Sequence, residues 1–118
     1  MAPVTEDMTE EERELALIEA ERLLELGRIE WEESRYAEAT TCFERSLLSF
    51  RSLKHQIGIT QALGQLGNTH HSQGQYERSI SHYKEALTIA QEIGDKLSEG
   101  RQLGWLALVY QTKAEYDQ

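Results

Sequence analysis

The chain has 118 residues, of which 39% are hydrophobic and 28% charged, proportions that fit a soluble globular domain and exclude a disordered chain. Its net charge of −9 arises within residues 1–33, which hold 12 acidic and 3 basic side chains, and this charge disfavours nucleic acid and anionic membranes as partners. The single cysteine, Cys42, excludes an internal disulfide, and no apolar run has the length of a transmembrane helix.

Hydrophobic residues recur at helical spacing along most of the chain. This spacing predicts five helices, at about 10–33, 36–53, 56–73, 76–93 and 97–113. Thr9 with Glu12 forms a capping-box pattern before the first helix. Gly74 can end the third helix in the left-handed conformation, and Gly94 can end the fourth, with Asp95 placed to cap the fifth. Residues 1–8 are expected to form a flexible acidic N-terminus.

The sequence repeats with a period of forty residues and needs no gap. Leu23, Leu63 and Leu103 share one column of this alignment, as do Leu26, Leu66 and Leu106, and Tyr36, Tyr76 and Tyr116. Each unit holds two helical patterns, so we expect units at about 16–55 and 56–95, and an incomplete unit at 96–118, within a repeat domain spanning 9–118. In the third unit, Tyr116 is expected to begin the partner helix.

Small residues are placed where paired helices would approach each other closely. Gly27 and Gly67 fall on the first helix of each unit, with Ala39 and Ser79 on the facing helix. A larger side chain at such a position would force the helices apart, at about 1–3 kcal/mol. The interior residues predicted for the second unit are Leu63, Leu66, Tyr83 and Leu87.

The second unit carries the residues that identify a family. These are Leu66-Gly67-Asn68, then Gly74-Gln75-Tyr76, Tyr83, Ala86-Leu87 and Ala90. This pattern resembles the tetratricopeptide repeat, and the forty-residue period resembles its Leu-Gly-Asn class, over residues 15–118. The first unit departs from the pattern at Ser34, Ser46 and Phe50. The resemblance implies an all-α, right-handed superhelix of antiparallel helix pairs, in which the first helix of each pair lines a concave groove for a peptide or a helix.

The resemblance also implies which residues face that groove. In the first unit they are Glu21, Leu24, Arg28, Trp31 and Glu32; in the second, Gln61, Gly64, Asn68, His71 and Ser72; in the third, Arg101, Gly104, Leu108 and Gln111. The candidate partner-binding residues among them are Arg28, Trp31, Gln61, Asn68, His71, Arg101 and Gln111. Trp31 and Trp105 are each offset from the core stripe, which suits a binding anchor, but a core or inter-repeat packing role is favoured for both. Leu24, Gly64 and Gly104 stand where a chaperone-binding repeat would need its first lysine, so no such clamp is expected.

No pattern in the sequence indicates catalysis, a cofactor or a metal site. His70 and His71 are adjacent, so on a helix their side chains diverge by about 100° and cannot grip one ion together. His70 is expected in the core, in the column of Tyr110. Cys42 has no histidine placed to activate it, so a structural thiol is expected. No phosphate-binding loop, nucleophile elbow or His-Glu-x-x-His motif is present.

The favoured function is a protein–protein interaction scaffold or adaptor that binds a partner's peptide or helix. The alternatives are a self-associating segment that forms a homo-oligomer through an uncapped last helix, and a regulatory arm of a larger protein or enzyme. That last helix carries Leu103, Trp105, Leu106, Val109 and Tyr110, which is not a polar cap, so we expect the chain to be a piece of a longer array. The N-terminus lacks the features of a secretory signal, and a cytoplasmic location is expected.

Overall fold

A computed structural model of the protein describes residues 8–117, which form five α-helices joined by short turns. The helices are α1 (Glu10–Glu32), α2 (Tyr36–Ser52), α3 (Gln56–Ser72), α4 (Tyr76–Ile93) and α5 (Lys96–Tyr116). The all-α prediction is confirmed, and every predicted boundary lies within three residues of the observed one. Residues 1–7, most of the segment predicted to be flexible, lie outside the described residues, as does Gln118.

The predicted helix caps form through short-range hydrogen bonds. The Thr9 hydroxyl accepts a hydrogen bond from the Glu12 N–H at 3.1 Å, at the start of α1. The Asp95 carboxylate accepts one from the Ser98 N–H at 3.2 Å, and the Ser98 hydroxyl donates to it at 2.8 Å. Each cap satisfies a backbone donor that has no partner inside its own helix.

Four turn residues adopt the left-handed conformation, and they form two pairs whose members are forty residues apart. Gly74 has φ 74° and Gly94 has φ 71°, while Ser34 (φ 62°) and Lys54 (φ 55°) take the same conformation in the first unit. A side chain makes this conformation unfavourable by about 1–2 kcal/mol, which glycine avoids. The repeated geometry therefore persists in the first unit although its sequence lacks the two glycines.

The helices stack in chain order, with α3 at the centre. Each helix packs against the next, and α3 also contacts both α1 and α5. The result is an elongated body of 54 × 32 × 18 Å. The main core cluster lies between α1, α2, α3 and α4, and a smaller one joins α4 to α5. Among residues 8–117, no helix is both long and apolar enough to cross a membrane.

Two glycines allow the predicted close approach of paired helices. A Cβ atom built on Gly67 would lie 2.4 Å from the Tyr83 ring, and one on Gly27 would lie 2.5 Å from the Phe43 ring. The Ser79 hydroxyl donates to the Gly67 carbonyl oxygen at 2.8 Å, a bond that also requires the two helices to be close. Both aromatic rings are fully buried. The aromatic side chain of each second helix thus fills the space left by the glycine of the first.

Two details differ from the sequence predictions. The prediction that Tyr116 begins a partner helix is wrong, because α5 continues through Tyr116. Ala114 occupies the column of Gly74 there, and alanine favours continued helix over a left-handed turn. Leu63, Leu66 and Tyr83 are buried as predicted, whereas Leu87 is only half-buried, against the smaller cluster.

Candidate binding face on α1, α3 and α5

The odd-numbered helices lie side by side because α3 contacts both α1 and α5. The surface that they share is called here the odd-helix face. Corresponding residues forty apart fall at the same register of successive helices, which aligns Gln61 with Arg101 and His71 with Gln111. Gln61, Arg101 and Gln111 are exposed, while Arg28, Trp31, Asn68 and His71 are half-buried. The candidate residues therefore differ in their freedom to meet a partner.

Asn68 is partly committed to the fold. Its Oδ1 accepts a hydrogen bond from the Tyr83 hydroxyl. Burial raises the pKa of Tyr83 to about 12, so this hydroxyl remains protonated and able to donate at neutral pH. The amide nitrogen of Asn68 forms no hydrogen bond within residues 8–117 and retains both of its donors. The bond to Tyr83 thus orients the Asn68 side chain and leaves its amide N–H groups available to donate to a carbonyl oxygen.

His71 connects three helices. Its Nε2 lies 3.3 Å from the Thr112 hydroxyl oxygen on α5, and its ring centroid lies 5.8 Å from that of Tyr76 on α4. These contacts hold α5 against α3 at this end of the face. A substitution of His71 would consequently disturb the stacking of the helices as well as any bound partner.

Gly64 forms the seam between α3 and α5. A Cβ atom there would lie 3.0 Å from Trp105 Cζ3 and 3.1 Å from Gln102 Nε2. Gln102 is only 3% exposed, and its Oε1 has no hydrogen-bond partner within residues 8–117. Gln102 was not among the residues predicted from the sequence, because the equivalent positions hold Arg22 and Ala62, which share no chemistry with it. The indole of Trp105 also packs at 5.6 Å from the Tyr83 ring, which favours the packing role for this residue.

The two candidates on α1 differ in their surroundings. Arg28 pairs with the exposed Glu25 at 3.3 Å, an ion pair that solvent weakens. Trp31 packs on the main core cluster, and its indole Nε1 is buried with no acceptor within residues 8–117. A buried donor without a partner costs about 1–3 kcal/mol. Trp31 therefore contributes mainly packing, with one donor unused.

His70 and Cys42, two titratable residues considered above for metal binding and catalysis, are both buried in the fold. His70 is buried, its Nδ1 lies 2.9 Å from Gln75 Oε1, and its ring stacks on His82 at 5.0 Å. Burial is the main reason that the pKa of His70 is lowered. Cys42 is buried, and burial raises the pKa of its thiol, which keeps the sulfur protonated and weakly nucleophilic. Residues 8–117 contain no group of three or more side chains able to hold a metal ion.

Comparison with known protein families agrees with the repeat geometry. The family model described as the tetratricopeptide repeat matches residues 19–92 and, in a second overlapping match, residues 58–118. Together these matches extend from residue 19, within α1, to the end of α5. No curated protein matches the sequence. Because the family matches extend over most of the chain and agree with its stacked helix pairs, the chain belongs to the tetratricopeptide repeat family.

Proposed function

We propose that the chain is a protein-interaction module, and that its odd-helix face receives an extended peptide or a helix from a partner protein. Tetratricopeptide repeats generally mediate protein–protein interaction and typically act as non-enzymatic scaffolds. The observation that supports this face most directly is a pair of exposed polar side chains at equivalent positions of adjacent helices, Gln61 on α3 and Arg101 on α5, with Gln111 also exposed on α5. Their amide and guanidinium groups can bond the backbone of an extended chain.

Preorganisation supports the same proposal. The Gly64 seam and the contact between His71 and Thr112 join α3 to α5, while Tyr83 fixes Asn68 from below. A partner would therefore meet side chains that are already positioned, which reduces the ordering penalty of binding. Arg28 and Arg101 add positive charge to a face that otherwise carries the acidic side chains of α1. The module would act as an adaptor in the cytoplasm.

The test is capture of partners from a native extract with a variant that leaves the core intact. Gln61, Arg101 and Gln111 are all exposed, so their joint replacement by alanine should preserve the fold. A matched control replaces one arginine and two glutamines elsewhere on the surface: Arg45, Gln73 and Gln91, which are also exposed. We expect a partner retained by the wild type and the control to be lost by the face variant. Equal retention by all three folded proteins would contradict the proposed face.

Self-association is a second candidate function, favoured by the outer surface of α5. Leu103 is 50% exposed and Tyr110 is 45% exposed, whereas their equivalents on α3, Leu63 and His70, are buried beneath α4. A second chain could cover this apolar surface. Sedimentation at several concentrations of the wild type and of Leu103→Ser tests the idea, which requires a mass that rises with concentration only in the wild type.

A further inference from the structure

Two surface depressions at one edge of the odd-helix face are built from the same repeat positions. The first, of about 270 Å³, is lined by Glu10, Arg13, Glu14, Leu17, Leu53 and His55. The second, of about 390 Å³, is lined by Lys54, His55, Gln56, Ile57, Ile93 and Asp95. We call them the first and second notch. Adding forty to four of the residues of the first notch, Glu14, Leu17, Leu53 and His55, gives Lys54, Ile57, Ile93 and Asp95 of the second. The fold therefore repeats this depression together with its helices.

Each notch contains an aliphatic pair, which is more exposed in the second notch than in the first, where Leu17 is half-buried and Leu53 is only 9% exposed. Leu17 with Leu53 forms the first pair, and Ile57 with Ile93 forms the second. Ile57 is 53% exposed and Ile93 is 39% exposed, although both lie in a folded helical region with a well-packed core. Burial of such surface by a partner would be favourable, in proportion to the apolar area removed from water.

His55 forms a fixed wall between the two notches. Its Nδ1 accepts a hydrogen bond from the Gly58 N–H at 2.9 Å, and its ring stacks on the buried Phe50 at 5.4 Å. Arg13 of the first notch donates to the Leu53 carbonyl oxygen at 3.3 Å. The two depressions are thus separate and preformed, so a partner would place one side chain in each.

The charges around the notches select the kind of partner. Glu10, Glu14 and Arg13 border the first notch. The two carboxylates form no ion pair within residues 8–117, and the first turn of α1 adds two further glutamates, so acidic side chains outnumber the single arginine there. The second notch has Lys54 beside Asp95, and Asp95 is already bonded to Ser98. A basic residue of the partner therefore fits beside the first notch only, and an uncharged part of the partner fits across the second.

The notches belong to successive odd helices, α1 and α3, which are in contact. Packed helices generally lie about 8–10 Å apart, so we expect the two notches to be separated by a distance of this order. In a polyproline II segment, residues three apart return to the same side after about 9 Å. Two aliphatic side chains at positions i and i+3 of such a segment would therefore match the two notches.

We propose that this edge of the odd-helix face docks an extended basic-aliphatic peptide, with one aliphatic side chain in each notch and a basic residue beside Glu10 and Glu14. This inference rests on the proposed function, since it specifies the partner chemistry for one edge of the same face. Ile57 lies one helical turn before Gln61 on α3, so a peptide held in the notches could continue onto Gln61 and the equivalent Arg101.

The test uses the whole 118-residue protein, labelled with ¹⁵N, and two synthetic peptides followed by amide NMR. The probes are Lys-Lys-Leu-Pro-Pro-Leu-Gly and its reverse, Gly-Leu-Pro-Pro-Leu-Lys-Lys, since either chain direction satisfies the proposal. We expect one of them to shift amides of Leu17, His55 and Ile57 in a saturable manner. Replacing both leucines by serine, or both lysines by glutamate, should weaken the binding about tenfold or more.

Matched protein variants complete the experiment. Ile57→Ser should weaken probe binding about fivefold to tenfold, whereas Leu48→Ser, which changes a more exposed aliphatic residue on α2, should leave it within about twofold. Glu10→Gln with Glu14→Gln should weaken binding and reduce its dependence on salt. Thermal unfolding of each variant checks that the fold is retained.

Several outcomes would overturn the proposal. These are the absence of notch shifts with both probes, equal shifts with the serine peptide, or notch shifts that follow protein concentration alone, which would mean a second copy as the occupant. Shifts confined to Gln61, Arg101 and Gln111 would overturn the notch proposal while supporting the proposed function. If the probe bound the notches but the Gln61, Arg101 and Gln111 variant still captured the partner from the extract, only the placement of the general binding face would be contradicted.

Discussion

The replacement of Gly67 by alanine tests how the paired helices are held together. The new Cβ would lie 2.4 Å from Cε1 of the Tyr83 ring, where ordinary contacts begin near 3.4 Å, so the ring or the helix must move by about 1 Å. Tyr83 is 1% exposed and bonded to Asn68, and Ser79 is bonded to the Gly67 carbonyl oxygen, so neither side can move freely.

The expected size follows from two opposing effects. Overpacking costs about 2–3 kcal/mol in such a confined site, while alanine in place of glycine favours the helix by about 1 kcal/mol. Gly67→Ala should therefore lower the free energy of unfolding by about 1–2 kcal/mol. Gly104→Ala is the matched control, because a Cβ there meets nothing within 4 Å, and it should raise the free energy of unfolding by about 0.5–1 kcal/mol.

The measurement is urea unfolding of the three proteins, followed by helical circular dichroism. A double-mutant cycle with Tyr83→Leu separates the clash from other effects, since Gly67→Ala should be less harmful once the ring is absent. If Gly67→Ala were as stable as Gly104→Ala, the close approach of Gly67 to Tyr83 could not be what sets the separation of α3 and α4.

Three further perturbations test other parts of the fold. Thr9→Ala removes the cap of α1 and should reduce the free energy of unfolding by about 1 kcal/mol, measured by urea unfolding. Burial, reinforced by the nearby His82 and opposed by the bond to Gln75, lowers the pKa of His70, so the unfolded chain takes up a proton more readily than the folded one. Stability should then fall as pH drops through about 6.5, and urea midpoints of His70→Gln should fall less over this range. The hydroxyl and N–H of Ser98 lower the pKa of Asp95, and Ser98→Ala should raise that pKa in an NMR carboxyl titration.

Much of the helical architecture could be predicted from the forty-residue period, because each unit contains its own stop and start signals. Gly74, Gly94 and Asp95 act within a few residues of themselves, and they occupy the turns where they were predicted. The partner helix expected to begin at Tyr116 was predicted wrongly, because the period was extended to that residue although Ala114 replaces the turn glycine. Local chemistry overrode the alignment at that point.

The candidate site was less accessible to sequence reasoning, since its details depend on contacts between helices. Nothing adjacent to Asn68 in the sequence indicates that Tyr83, fifteen residues later, bonds to its side-chain oxygen. The contact of His71 with Thr112 spans 41 residues and requires the stacking of α5 on α3. The notches are equally non-local, because each combines a loop with the first turns of helices. The period nevertheless contained a usable signal, namely the column of Leu17, Ile57 and Leu97.

The residue of α5 that is equivalent to Gly27 and Gly67 restricts how the outer surface of this helix can be covered. Helices α2 and α4 place Phe43 and Tyr83 against glycines, but the corresponding position on α5 is Ala107. A copy of α2 or α4 supplied by a second chain in the same register would bring an aromatic ring to within about 2.5 Å of that Cβ, if the geometry of the first two units is repeated. Simple helix exchange is therefore disfavoured. A helix that covers α5 needs a smaller residue at this position, so Ala107→Gly should promote self-association if exchange is the route, and sedimentation of Ala107→Gly beside the wild type would reveal it.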